Sequence, residues 1–221
     1  MEAELYQKAC PEDYYAAFLK EGVRPDGRAL TEARQVAVQL GVRGAASALV
    51  RLGNTAVICA VTEEGKEGLT ITGASAPALA SVLNSLKLKG TVELQIVQDD
   101  GNLLEAALLA YQMTQLSALP AGELPELGQM CFAFTYCDLQ SSPVRDPTSE
   151  ESALASSELS IVWTGDGALV LPVKAGGKPV DLADLERLMG LAAEDLSALR
   201  HNLAVISTKR KFVGSLYLAT N

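Results

Sequence analysis

The sequence is poorest in histidine, and that scarcity removes whole classes of chemistry. His201 is the single histidine among 221 residues, so a helical H-E-x-x-H zinc site, or any site with two imidazole ligands, cannot be built. A His-centred triad would have to use His201 itself. It stands between Arg200 and Asn202, at what reads as the solvated end of an amphipathic helix, where a cation complements the dipole. Cysteine is also sparse. Cys10, Cys59, Cys131 and Cys137 form no C-x-x-C, which leaves zinc ribbons and thioredoxin-type redox motifs unsupported. Cys131 and Cys137 lie six apart in a strand-like run, too far along one face to bond. Buried free thiols in a reducing compartment are expected. Basic residues are outnumbered: Lys+Arg is 18 against 27 for Asp+Glu, a net charge of −9. Phosphate contact is made by Lys and Arg, so a broad nucleic-acid surface is not expected of the chain alone. A local basic patch or a basic partner stays open. Long apolar runs are missing too. The longest uncharged stretch, 68–86, is rich in Gly, Ser and Thr and is no membrane span. With Glu2 and Glu4 at its start, the sequence shows no signal peptide, and a soluble intracellular protein is expected.

What is present fits a packed core: 48% hydrophobic and 20% charged residues. Pro11, Glu12 and Asp13 open a short helix over 11–21, stopped by Gly22. Pro25-Asp26-Gly27 is turn chemistry. Strand patterns follow at 35–40, 45–52 and 55–61, the last two joined by the hairpin signal Gly53-Asn54. Residues 62–75 read as a loop, 76–86 as a helix with Pro77 in its first turn, and 91–97 as a strand. Asp99-Asp100-Gly101-Asn102 is a tight turn before 103–119, a helix with almost no polar face and hence a buried one. The run 129–139 is apolar on both faces, a strand covered on both sides. Residues 141–152, with Arg145, Asp146, Pro147, Glu150 and Glu151, read as a loop. A hairpin over 159–173 turns at Gly165-Asp166-Gly167, and helical spacing runs from 181 to about 203. A tail with Lys209-Arg210-Lys211 closes the sequence. Hairpins with separated helices mean α+β, with no repeat or linker. One domain over 1–221 is the economical reading, with an N-terminal helix within 1–22 and a tail over 204–221.

Several motifs together resemble the ribonuclease PH fold, and specifically the ring subunits of eukaryotic RNA exosomes. They are Glu12-Asp13-Tyr14-Tyr15 with Phe18-Leu19 and Glu21-Gly22-Val23-Arg24-Pro25-Asp26-Gly27-Arg28; Ser47 to Thr55; Asp100-Gly101-Asn102; Asp146-Pro147-Thr148 with Glu150-Glu151; and Gly176-Gly177 before the last helix. Each alone is weak, but their order over most of 12–203 is specific. The resemblance implies two β-α-β-type halves sharing a core, a ribosomal protein S5 domain 2-like arrangement. It also implies six such subunits closing a ring around an RNA channel. Active relatives cleave RNA from the 3′ end with phosphate as nucleophile, which needs fixed donors for phosphate and acids, or acid-held metal, near the scissile oxygen.

The resemblance also locates the site. Active enzymes carry an A-D-G-G-T-R run whose Thr and Arg, with a helix N-terminus, hold phosphate. The matching run here is Asp99-Asp100-Gly101-Asn102-Leu103-Leu104. Leu103 and Leu104 can only pack, and the aspartates repel an anion. Active relatives place two aspartates six apart; here the first matches Asp146 and the second position is Ser152. The other reading of Asp146-Pro147-Thr148 is a turn with side-chain capping. Arg24 and Arg28 are expected to brace the opening turn. The degenerate positions are therefore Asp100, Leu103, Leu104, Asp146 and Ser152, and no catalytic residue, cofactor or metal is expected.

The reading that follows is a non-catalytic ring subunit. Its implied partners are same-fold ring subunits in a hetero-hexamer, cap subunits with RNA-binding domains, the associated catalytic exonuclease, and RNA in the channel, with no membrane. Nucleus, nucleolus and cytoplasm are the expected locations. Lys87, Lys89, Lys209, Arg210 and Lys211 are candidate RNA contacts, with solvated charge as the alternative. Competing readings are an active phosphorolytic 3′-to-5′ exoribonuclease and a stand-alone homo-oligomer. Relatives are expected to be longer opposite 61–79 and 120–129 by some tens of residues together. Either this chain is trimmed there or its sequence lacks loops of a longer protein, and the second is favoured.

Overall fold

A computed structural model of the chain describes residues 2–62, 68–86, 88–120, 123–125, 130–164, 167–172, 179–207 and 213–216. The helices are α1 (Glu2–Ala9), α2 (Pro11–Leu19), α3 (Ala76–Ser85), α4 (Leu103–Ala118), α5 (Ser149–Leu154) and α6 (Leu182–Ser207). The strands are β1 (Val36–Leu40), β2 (Ser47–Leu52), β3 (Thr55–Val61), β4 (Gly68–Thr72), β5 (Thr91–Gln98), β6 (Phe132–Leu139), β7 (Ser142–Arg145), β8 (Ser157–Thr164), β9 (Gly167–Pro172) and β10 (Val213–Leu216). They form a six-stranded sheet in the order β10-β1-β2-β3-β5-β4 and a four-stranded sheet in the order β7-β6-β8-β9.

Helix α4 lies between them and explains the α+β arrangement. Its residues Glu105 to Thr114 and Leu116 are all buried, as an Ala/Leu-rich helix without a polar stripe requires. One face meets Val36, Val50, Val57 and Cys59 of the first sheet, and the same cluster takes in Phe132, Phe134 and Ile161 of the second. Strand β6 is buried along nearly its whole length, as its doubly apolar pattern demands. A smaller cluster of Tyr15, Cys137, Leu139, Val144 and Ala155 seats α2 on the far side. Cys59, Cys131 and Cys137 are buried free thiols and Cys10 an exposed one. Burial pushes the Cys59 and Cys131 thiols up to about 12.

Four sequence expectations need correction. The stretch 62–75 contains β4, which pairs parallel with β5, with Leu69 and Ile71 turned toward the core; two apolar residues at a spacing of two, inside a polar run, were too little signal. The stretch 141–152 contains β7 and α5. Thr148 and Glu151 form a capping box there, a sequence-readable start signal. The N-terminal region is two helices divided at Cys10. Finally, α6 continues to Ser207, so position 204 and the exposed His201 lie inside it.

Two positive-φ glycines separate strain from crowding. Gly22 (φ +73) ends α2 with open space around it, whereas a Cβ on Gly101 (φ +83) would stand 2.6 Å from the Thr148 carbonyl carbon. Gly22→Ala is expected to cost about 1 kcal/mol. Gly101→Ala adds a backbone clash and is expected to cost about 3 kcal/mol; urea midpoints of the two variants check the difference.

Candidate functional site

The close approach at Gly101 brings the turn before α4, with Asp100, against the segment between β7 and α5, with Asp146. Asp146 is fully buried at φ +51. Its carboxylate accepts from the Arg34 backbone N–H at 2.7 Å, Nε at 2.9 Å and Nη2 at 2.8 Å. The Asn102 amide donates to it at 2.6 Å, and Arg28 Nη1 at 3.4 Å. Arg34 also donates to the carbonyls of Asp100 at 2.8 Å and Gly101 at 3.2 Å. One guanidinium therefore holds both loops.

The electrostatics follow from this geometry. Burial alone would push the Asp146 carboxyl up; the hydrogen bonds and charge of Arg34, with Arg145 and Asn102, outweigh it and hold the group at about 2. Burial works against the charge of Arg34, and its bonds to Asp146 turn the net shift upward. A second pair lies alongside. Arg145 grips Glu105 in a fork at 2.7 and 2.6 Å and reaches Asp195 of α6 at 2.8 Å. Its guanidinium lies 5.2 Å from the Phe134 ring centroid. Burial opposes that charge as well, but Glu105 and Asp195 raise it well above its ordinary value. Arg24, also buried, donates to Glu151 at 3.2 Å and to the carbonyl oxygens of Asp146 and Glu32. Arg24 and Arg28 thus brace more than the opening turn: they tie it to α5.

The predicted positions divide accordingly. Asp100, Asn102 and Asp146 meet in this network. Asp100 also accepts from Asn54 at 3.1 Å and Ser149 at 2.9 Å. Leu103 and Leu104 pack against the core, and Ser152 is half-buried in α5. The turn-and-capping reading fits Thr148, the N-cap of α5; Asp146 itself binds arginines. Arg34, Glu105, Arg145 and Asp195 were not singled out as site residues. Glu105 had a signal, a lone acid in the first turn of an apolar helix, which must find a partner; Arg34 had none. Among the described residues no group of three His, Cys, Asp or Glu is placed to hold a metal ion. Lys89 is exposed at the other end of β5 from Asp100, roughly 25 Å away by strand rise. Lys87 and residues 209–211 lie outside the described residues.

Known structures share this architecture. The chain superposes on an archaeal exosome core chain with a TM-score of 0.69 at 23% identity, covering 91% of this chain and 98% of that one. This is a ribonuclease PH-like fold. A chain of the Archaeoglobus fulgidus exosome with RNA bound to the active site gives 0.67 at 21% identity, covering 86% and 96%. Rice (Oryza sativa) Rrp46 gives 0.64 at 17%, covering 84% and 100%. Residues 129–195 match the model of the 3′ exoribonuclease family, domain 2. In sequence, the chain is 24% identical to exosome complex component Rrp42 of Methanosarcina acetivorans over 242 positions, covering 85% of this chain and 91% of the relative. The Aeropyrum pernix Rrp42 is 26% identical, covering 81% and 88%. An aligned span of 242 positions that takes in only 85% of this chain means the relative carries segments with no counterpart here. The two archaeal structures and the Rrp42 relatives are exosome proteins.

Asp146 gives the network a pH signature. Its pKa falls from 3.8 to about 2 on folding, so its stabilisation is present above pH 4 and lost as pH falls through about 2, amounting to about 2 kcal/mol. Asp146→Asn is expected to lower stability at pH 6 by about 3 to 5 kcal/mol, because Arg34 loses its buried counter-charge. The gap between variant and wild type should narrow by about 2 kcal/mol toward pH 2, read by urea unfolding across pH.

Proposed function

We propose that this chain is a non-catalytic subunit of an RNA exosome core ring. In this reading it supports 3′-to-5′ RNA processing and degradation, including rRNA maturation and mRNA turnover, through assembly. The observation that carries the reading is the Arg34–Asp146 pair. The only acid left of the expected aspartate pair is fully buried and bound by Arg34, Arg28 and Asn102. Its carboxylate is occupied by partners within the chain. Leucines stand where phosphate donors are needed, and Glu105 rather than a cation occupies the first turn of α4.

The finer assignment rests on the opening helix. Tyr14-Tyr15 resembles the eukaryotic subunit called ribosomal-RNA-processing protein 43, or exosome component 8, and we assign this chain to that kind of subunit. Its partners would be same-fold ring subunits in a hetero-hexamer, cap subunits with RNA-binding domains, the associated catalytic exonuclease and RNA in the channel. Nucleus, nucleolus and cytoplasm would be its locations. RNA contact by Lys87, Lys89, Lys209, Arg210 and Lys211 belongs to the same proposal. The main alternative is an active phosphorolytic exoribonuclease.

Incubation of the purified chain with single-stranded RNA and phosphate separates the two. No release of nucleoside diphosphates is expected, while affinity capture from cells should recover same-fold ring subunits. Phosphate-dependent turnover that Asp100→Asn abolishes without unfolding the chain would defeat the scaffold reading.

A further inference from the structure

Three helix faces converge on one cleft outside the arginine network. Helix α5 contributes Glu150, Ala153 and Leu154, an i, i+3, i+4 face. Helix α2 contributes Pro11 and Tyr15, one turn apart, and α1 contributes Gln7 and Lys8. Pro11 and Ala153 are short side chains, so the faces do not close on one another. They leave a cleft of about 440 Å³, within the size range of small-molecule sites. Lys8, Glu150 and Ala153 are exposed at its mouth.

The charges of the cleft decide what fits it. Glu150 Oε2 accepts from the Gln7 amide at 2.7 Å and from the Tyr15 hydroxyl at 3.2 Å. Tyr15 is 4% exposed. Burial, then the charges of Glu150 and Glu151, push its hydroxyl upward, so it stays a neutral donor and steadies the carboxylate. Glu150 Oε1 has no hydrogen-bond partner among the described residues, and neither has the Lys8 ammonium. The two charges are opposite and line one cleft, yet no ion pair joins them. Pro11, Ala153 and Leu154 give the remaining lining apolar surface. A cation alone would meet Glu150 and be repelled by Lys8, and an anion alone the reverse. A molecule with both charges a short way apart and an apolar body satisfies every wall at once. We propose that this cleft binds a small zwitterionic peptide with apolar side chains, its ammonium on Glu150 Oε1 and its carboxylate on Lys8. The two charge-assisted bonds orient the peptide, and its side chains cover Pro11, Ala153 and Leu154. Both charges are solvated, so each pair contributes little alone, and the dissociation constant is on the order of a millimolar. The occupant would fasten α1, none of whose side chains over 5–9 is buried, to α5. The proposal is independent of the ring reading, because the cleft contains none of the degenerate positions.

Titration of the purified full chain with leucyl-leucine up to about 20 millimolar, followed by amide NMR shifts, reads the site. Saturable shifts confined to α1, the start of α2 and α5 are expected, with slowed hydrogen exchange in α1. Leucyl-leucine amide and N-acetyl-leucyl-leucine each lack one charge and should bind about fivefold more weakly. Lys8→Ala and Glu150→Gln should each weaken leucyl-leucine by a similar factor. Ala153→Phe, which fills the cleft, should abolish binding. Lys8 and Ala153 are exposed, so their variants keep the fold, and circular dichroism checks all three. No saturable shift at 20 millimolar overturns the proposal. Equal binding of the two blocked peptides, the mark of a merely apolar cleft, overturns it too, as does undiminished binding by the Lys8→Ala chain.

Discussion

The meeting of the turn before α4 with the segment before α5 depends on one guanidinium, that of Arg34. Its donors satisfy the Asp146 carboxylate and the carbonyls of the turn before α4 at once. A buried carboxylate is tolerable only when its charge is matched and its lone pairs are filled, and Arg34, Asn102 and Arg28 fill them. Gly53 makes the room: a Cβ there would stand 2.5 Å from Arg34 Cδ. The hairpin glycine that the sequence shows as turn chemistry is thus also a packing requirement of the network.

The same arrangement neutralises a cluster of enclosed charges within the fold. In a phosphorolytic centre, cations must stay available to substrate oxygens. Here Arg24, Arg28, Arg34 and Arg145 each bind a carboxylate of the chain itself. The cost of burying Arg24, Arg34 and Arg145, and of half-burying Arg28, is thus offset inside the fold. Aromatic faces add to this, with Phe134 and Tyr136 flanking Arg145.

Much of the fold was legible because its signals are local. Gly53-Asn54 announced a hairpin, the Ala- and Leu-rich stretch from Leu103 announced a buried helix, and two-sided hydrophobicity at 129–139 announced a central strand. Strand β4 was hidden because its inward residues are only Leu69 and Ile71, and its partner β5 lies beyond a helix. The site was half legible. Leu103, Leu104 and Ser152 could be set against the expected Thr, Arg and Asp position by position. The charge network beside them could not, since Arg34 meets Asp146 across 112 residues and nothing near Arg34 in sequence hints at a buried acid. Glu105 was the exception, conspicuous as an acid at the head of an apolar helix.

The order β10-β1-β2 has a consequence for how the chain comes off the ribosome. Strand β1 pairs with β10 through Val36 and Leu216, 216 − 36 = 180 positions apart, so β1 waits for a partner made much later. Until then the outer edge of β1 carries open hydrogen-bonding groups, a template for mispairing. Long α6 spans the interval, carrying the chain from the second sheet back to the first. Such distant closure slows folding relative to local pairing, and it makes the interval before β10 emerges the period when the nascent chain most needs protection.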